Sequence, residues 1–118
     1  VVTNESQVHE NYKDMIIKAR DIDSRVTGRS TGHPVRALRN QMTKEYLDKE
    51  QAGVPFEELE LLTLGGLRKA VVEGDVKTGS VMAGQIAGMV KEKMSCHNLI
   101  QKLVKETDDL IGGKGFYE

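Results

Sequence analysis

Apolar residues at Val8, Tyr12, Met15, Ile16 and Ala19 recur at i, i+4, i+7, i+8 and i+11, the stripe of an amphipathic helix. Asn4 or Ser6 stands where a side-chain oxygen would cap its start. The period then breaks. Arg25-Val26-Thr27 suits a short extended piece, and Thr27-Gly28-Arg29-Ser30-Thr31-Gly32-His33-Pro34 has the glycines, serine and proline of a loop. His33 precedes Pro34, whose ring disfavours helical geometry in the residue before it. Helical spacing resumes through Val35, Leu38, Met42, Tyr46 and Leu47, predicting a helix over residues 35–52 that stops at Gly53.

Val54-Pro55 predicts a turn, and residues 55–62 a short helix with Glu57 and Glu58 near its positive end. Gly65-Gly66 interrupts the pattern before a second short helix over residues 67–73. Gly74 closes it, the residue type that best tolerates a left-handed conformation. Residues 75–79 form a loop. Ser80 is placed to cap a helix over residues 81–93, and Ser95 to cap the last one, whose Leu99, Ile100, Leu103, Val104 and Leu110 share one face. The tail, residues 112–118, is glycine-rich and expected to be mobile. The expectation is a mainly α chain of five or six helices with at most one short strand, no internal repeat and no alternating βα pattern.

A length of 118 residues fits one domain, and 12 glycines are many for a simple bundle. The 4% aromatic content, with no Trp, predicts an aliphatic, Met-containing core. Seventeen basic and 18 acidic residues leave a net charge of −1, which removes any global electrostatic argument for a nucleic-acid or membrane-surface partner. No apolar run approaches the ~18 residues of a spanning helix, and the first residues are polar rather than signal-like. A soluble, cytoplasmic chain is expected. The single cysteine, Cys96, excludes an intramolecular disulfide and a Cys-rich zinc site. His9, His33 and His97 have no metal-ligand spacing, so no metal is expected.

Five of the six arginines, Arg20, Arg25, Arg29, Arg36 and Arg39, fall within twenty residues around the Gly/Ser/Thr loop. Guanidinium forks and free loop amides both suit phosphate oxygens. The plain alternative is solvated arginines paired with the acids between Glu45 and Glu60. His33 is the best single candidate for acid–base or ligand-positioning work, because its imidazole titrates near neutrality, although no partner is visible. Cys96 sits at an expected helix start, but nothing supplies a base, which favours an inert or packing role. On a helix, Ser80, Gly84 and Gly88 would stack at i, i+4 and i+8, a smooth face for close packing or a flat ligand. The run is no P-loop, since Gln85-Ile86 stands where Lys-Ser/Thr is required.

The segment Val26 to Arg36, followed by Gly66-Leu67-Arg68-Lys69-Ala70-Val71, Glu73-Gly74-Asp75 and Gly79-Ser80-Val81-Met82-Ala83-Gly84-Gln85, closely resembles the C-terminal part of the flavin-dependent enoyl-acyl-carrier-protein reductase II (FabK) group. That group lies within the nitronate monooxygenase (2-nitropropane dioxygenase-like) superfamily. The resemblance covers about residues 2–108. It implies a parent α/β protein with an FMN-binding (β/α)8 TIM barrel, using NADH or NADPH to reduce an enoyl thioester carried on acyl carrier protein in bacterial fatty-acid synthesis.

A complete barrel of this kind needs roughly 200–250 residues. The family's flavin-holding glycine segments, its usual catalytic histidine and its barrel strands have no counterpart here, so the resemblance implies a C-terminal portion with no catalytic residue of its own, inactive alone and binding no FMN alone. Residues 1–20 would be the last barrel helix, 21–64 a lid-like insertion, 65–111 closing helices and 112–118 a tail. By the same analogy, Ser80 and Met82 would form a cofactor-pocket wall, and Arg29, Gly32, His33, Pro34 and Arg36 would contact substrate. The parent is expected to be a homo-oligomer. Oxidation of alkyl nitronates by FMN and oxygen is the alternative reaction, and a stand-alone helical interaction module the reading from another class.

Overall fold

In the computed structural model, which describes residues 1–112, the chain is organised as two units. The larger is Val8–Lys91; the other joins Val1–Gln7 to the chain from Glu92 onward. The larger unit opens with α1 (Glu10–Lys18), whose start is set by His9: its Nδ1 accepts the Asn11 N–H at 3.0 Å. Asn4 and Ser6, the expected caps, belong to the other unit, where the Asn4 N–H donates to the Met94 carbonyl at 3.0 Å. α1 buries Tyr12, Lys13 and Ile16, with the Lys13 Nζ 3.3 Å from Glu10.

Strands β1 (Ser24–Thr27) and β2 (Val35–Leu38) pair antiparallel, Thr27 opposite Val35 and Ser24 opposite Leu38. The loop between them holds a 3-10 turn, Arg29–Thr31, bracketed by Gly28 and Gly32 at φ 79° and 78°. Those left-handed angles are open to glycine at little cost. The helix expected over residues 35–52 is therefore two elements. The helical spacing of Val35, Leu38 and Met42 is coincidental: the first two pair with β1, and Asn40 then caps α2 (Gln41–Gln51) through a capping box with Thr43. The Asn40 side chain accepts the Thr43 N–H at 2.9 Å, and the Thr43 hydroxyl oxygen accepts the Asn40 N–H at 2.8 Å.

α3 (Phe56–Thr63) and α4 (Gly66–Val71) follow as short helices. Met42 and Tyr46 of α2 pack with Leu59 of α3 in the core, joined by half-buried Val54 and Leu62. The expected helix over residues 81–93 is absent. Its first residues run extended beside β2: the Leu38 N–H donates to the Val81 carbonyl at 2.9 Å, and Met82 bridges to Ala37. Ser80 caps nothing, because no helix starts after it; its own N–H donates to the Gly66 carbonyl at 2.9 Å. A single 3-10 stretch, Gln85–Met89, replaces the rest. Gly84 is extended and faces open space, whereas a Cβ on Gly88 would come within 2.6 Å of the Asp21 backbone nitrogen. The smooth helical face of Ser80, Gly84 and Gly88 thus does not form, although Gly88 does meet another backbone closely.

In the smaller unit, α5 (Cys96–Leu110) is capped by Ser95, which accepts the Asn98 N–H at 3.1 Å. The Glu5 carboxylate accepts the Cys96 N–H at 2.9 Å. Ile100, Leu103, Val104 and Leu110 on this helix are exposed. The described residues therefore hold five α-helices and two strands, one strand more than expected. Of the tail, all but Gly112 lies outside the described residues.

Candidate functional site

A cleft of about 480 Å³ opens in the larger unit. One wall is the sheet: Thr27, Val35 and Ala37 alternate onto the same face, and the bridge to Ala37 brings Met82 alongside them. α2 contributes Met42 and Tyr46; α3 and α4 contribute Phe56, Glu60, Thr63 and Leu67. Thr31 and His33 from the loop, and Ser80, complete the lining. The cleft is mainly apolar with a few hydroxyls, suited to an organic ligand rather than to a free ion.

Ser80 is buried because Gly66 has no side chain: a Cβ there would come within 2.5 Å of the Ser80 hydroxyl oxygen. Met82 is held by its backbone, whose carbonyl accepts the Tyr12 hydroxyl at 2.5 Å, while its side chain stays 43% exposed. Burial pushes the Tyr12 phenol above its ordinary pKa. Tyr46 is likewise raised, by burial first and then by the charge of Glu50.

The structure brings three of the predicted residues, His33, Ser80 and Met82, onto one cleft; Gly32 and Pro34 flank His33 in the exposed loop. Arg29 and Arg36 do not line it. Arg36 lies on the other face of the hairpin, its Nη1 donating to the Ser24 hydroxyl at 2.8 Å. The remaining arginines turn to local partners: Arg39 Nε lies 3.0 Å from Asp23, Arg20 Nη2 3.4 Å from it, and Arg25 donates to the Ile22 and Ser24 carbonyls. Arg25 and Arg39 border a second concavity of about 430 Å³ with Lys44, Leu47 and Asp48.

The loop amides expected to be free are already occupied. Glu50, from the last turn of α2, accepts the Gly28 N–H at 3.3 Å, the Ser30 N–H at 3.1 Å and the Ser30 hydroxyl at 2.5 Å. These bonds, the Ser30 hydroxyl foremost, hold its carboxyl below the usual range. Glu50 lies four residues after Tyr46, a spacing visible in the sequence. Its target loop, twenty residues earlier, is not. Among the described residues, no group of three His, Cys, Asp or Glu is placed to hold a metal ion.

Comparison with known proteins shows where this fold recurs. FabK from Thermotoga maritima superposes with a TM-score of 0.85 at 38% identity, over 94% of this chain and 35% of that one. A nitroalkane oxidase from Streptomyces ansochromogenes shares the fold, with a TM-score of 0.64 at 24% identity over 92% of this chain and 30% of the other. A probable nitronate monooxygenase from Bacillus subtilis (strain 168) is 26% identical over 106 residues, 90% of this chain and 30% of the relative. The chain thus spans about a third of the length of these proteins. The nitronate monooxygenase family model matches residues 1–106, so the chain belongs to the nitronate monooxygenase family, whose members are FMN-dependent oxidoreductases.

Proposed function

We propose that this chain forms one wall of the substrate pocket in an FMN-dependent, NAD(P)H-using reductase of enoyl thioesters, acting on acyl-carrier-protein-linked chains in fatty-acid synthesis. The observation that carries this reading is the likeness to FabK, at 38% identity and a TM-score of 0.85. A mainly apolar cleft lined by Val35, Ala37, Phe56, Leu67 and Met82 suits an acyl chain, and the hydroxyls of Thr27 and Ser80 suit its polar end.

The residues present do not fit the FMN phosphate. Two loops turn amides toward a single anion, and each is filled by a carboxylate of the chain itself: Gly28 and Ser30 by Glu50, Lys77 and Thr78 by Asp75. Neither offers a phosphate a seat. The contribution of these residues is therefore shape: Met82 and Ala37 set the width of the cleft, and the loop bearing His33 overhangs it.

Oxidation of alkyl nitronates is the second reading, favoured by the family model and the Bacillus subtilis relative. The intact protein, assayed with an enoyl thioester plus NADH and separately with an alkyl nitronate under oxygen, distinguishes the two. NADH oxidation stoichiometric with loss of the enoyl double bond is expected. Turnover of the nitronate alone overturns the reductase reading. A cytoplasmic homo-oligomer belongs to the same proposal, with sedimentation of the intact protein as its test. Among the described residues no helix is long and apolar enough to cross a membrane.

A further inference from the structure

We propose that Tyr46 and Glu50, one turn apart on α2, are positioning residues that latch the loop over residues 28–34, so that Thr31 and His33 stand on the cleft wall. The loop joins β1 to β2 and carries both residues, yet Arg29, Ser30, Gly32, His33 and Pro34 are exposed, so side-chain packing contributes little to holding it. Hydrogen bonds do that work instead. Glu50 takes three donors from Gly28 and Ser30, at 3.3, 3.1 and 2.5 Å. A carboxylate accepting several donors makes the stronger, charge-assisted kind of bond.

Tyr46 supplies the second point. Its hydroxyl stands against the loop beside the Thr31 hydroxyl: a Cβ built on Gly28 would lie 3.4 Å from the first and 3.3 Å from the second. The Thr31 hydroxyl donates to the Gly28 carbonyl at 2.7 Å, so its oxygen is left to accept, as it does from the His33 N–H at 3.2 Å. Tyr46, Thr31 and His33 all line the cleft, so the phenol backs the loop where the loop meets the wall. Gly28 makes the closure possible, since a Cβ at its φ of 79° would come within 2.7 Å of the His33 carbonyl. Tyr46 itself is 6% exposed and packs with Met42 and Leu59, so the anchor is part of the core. The latch follows from these contacts alone; its effect on turnover rests on the reading of the cleft as a substrate pocket.

Hydrogen exchange of the intact protein tests the latch, in wild type, Glu50→Ala, Glu50→Gln and Tyr46→Phe. Glu50→Ala is expected to speed exchange of the Gly28 and Ser30 amides by about tenfold or more, with the α3 and α4 amides unchanged. Glu50→Gln, which keeps one neutral acceptor, should fall between it and wild type. Tyr46→Phe should loosen His33. In the assay with enoyl thioester or nitronate, Glu50→Ala should raise KM with little change in kcat, and Glu50→Gln should recover part of the loss.

Wild-type exchange in both Glu50 variants overturns the proposal. So does acceleration spread evenly over the larger unit, or a loosened loop with wild-type KM. Where Glu50→Ala does not fold, Glu50→Gln and Tyr46→Phe make the same comparison. A wild type that turns over neither substrate refutes the proposed function, and the exchange data still decide the latch.

Discussion

The Tyr12 hydroxyl donates to the carbonyl oxygen of Met82 at 2.5 Å, joining α1 to a cleft-wall residue seventy positions away. Met82 then sits opposite Ala37 of β2, so one phenol ties helix, bridge and sheet together. Tyr12→Phe keeps the buried ring and removes the donor, leaving a part-buried carbonyl without it. A loss of about 1–2 kcal/mol is expected in denaturant unfolding. An unchanged midpoint would show that water replaces the phenol at no cost.

Asn40 makes a sharper test, because its two side-chain ends do different things. Its oxygen caps α2, and its amide nitrogen donates to the Val76 and Gly79 carbonyls at 2.9 and 2.8 Å. Aspartate is ordinarily as good an N-cap as asparagine. Here it would turn an acceptor toward two carbonyl oxygens. Asn40→Ala should cost about 2–3 kcal/mol, and Asn40→Asp at least about 1 kcal/mol rather than nothing. A neutral Asn40→Asp would mean that the two carbonyl bonds contribute little.

How far the sequence made this fold legible follows from where each signal lies. Ser95 caps α5 as its spacing predicts, and the apolar stripe of Tyr12 and Ile16 is on α1, because both signals are local. Residues 35–38 and 80–83 depart from the helical expectation for one reason: both are short, and their extended form is set by pairing between distant segments. Asn40 followed by Thr43 was the local clue to a helix start after Leu38. The loop amides misled differently. A Gly/Ser/Thr loop beside arginines has an anion-binding composition, but it cannot reveal that Glu50 already fills it. Of the cleft lining, His33 stands out by residue type and loop position, and Ser80 and Met82 through the family resemblance. Thr27, Tyr46 and Glu50 do not, since their roles exist only once α2 docks on the hairpin.

Gly79, in the loop before Ser80, and Gly84, in the segment whose spacing suggests a helix, separate close packing from mere flexibility. A Cβ on Gly79 would come within 2.4 Å of the Asp75 carbonyl and 2.8 Å of the Ala70 nitrogen, both backbone atoms. Gly84 meets nothing within 4 Å and has φ −78°. Gly79→Ala should therefore destabilise by about 3 kcal/mol, while Gly84→Ala should be neutral or stabilising by about 0.5 kcal/mol. Thermal unfolding of the pair checks this, and equal losses would contradict the extended geometry at Gly84.

Acid should open the turn after α4. The Asp75 carboxylate accepts the Thr78 hydroxyl, and the Thr78 and Lys77 N–H groups at 2.9 and 3.1 Å, which hold its pKa below the usual value. A depressed folded-state pKa means that the stabilisation is complete above the ordinary carboxylate value of about 3.9 and is lost as pH falls through the folded value. Exchange protection of Lys77 and Thr78 should thus persist at about pH 5 and be lost only at a pH below the ordinary carboxylate value of about 3.9. Asp75→Asn should remove that dependence; a wild-type profile in the variant would assign it elsewhere.

Met82 and Arg36 are adjacent to the same strand pairing yet point to different outcomes. The Met82 side chain lies on the cleft beside Ala37, 43% exposed, a soft surface that adapts to acyl chains. The Arg36 guanidinium lies on the opposite face of the hairpin, bonded to Ser24. Under the reductase reading, Met82→Trp should narrow the cleft and lower kcat/KM for long enoyl chains by about tenfold, and for short chains by less. Arg36→Ala should leave KM at its wild-type value and act only on stability, through the lost bond to Ser24. Steady-state kinetics across chain lengths reads both. A uniform effect of Met82→Trp on every chain length would place the acyl chain elsewhere, and a raised KM in Arg36→Ala would bring that arginine back into substrate binding despite its position.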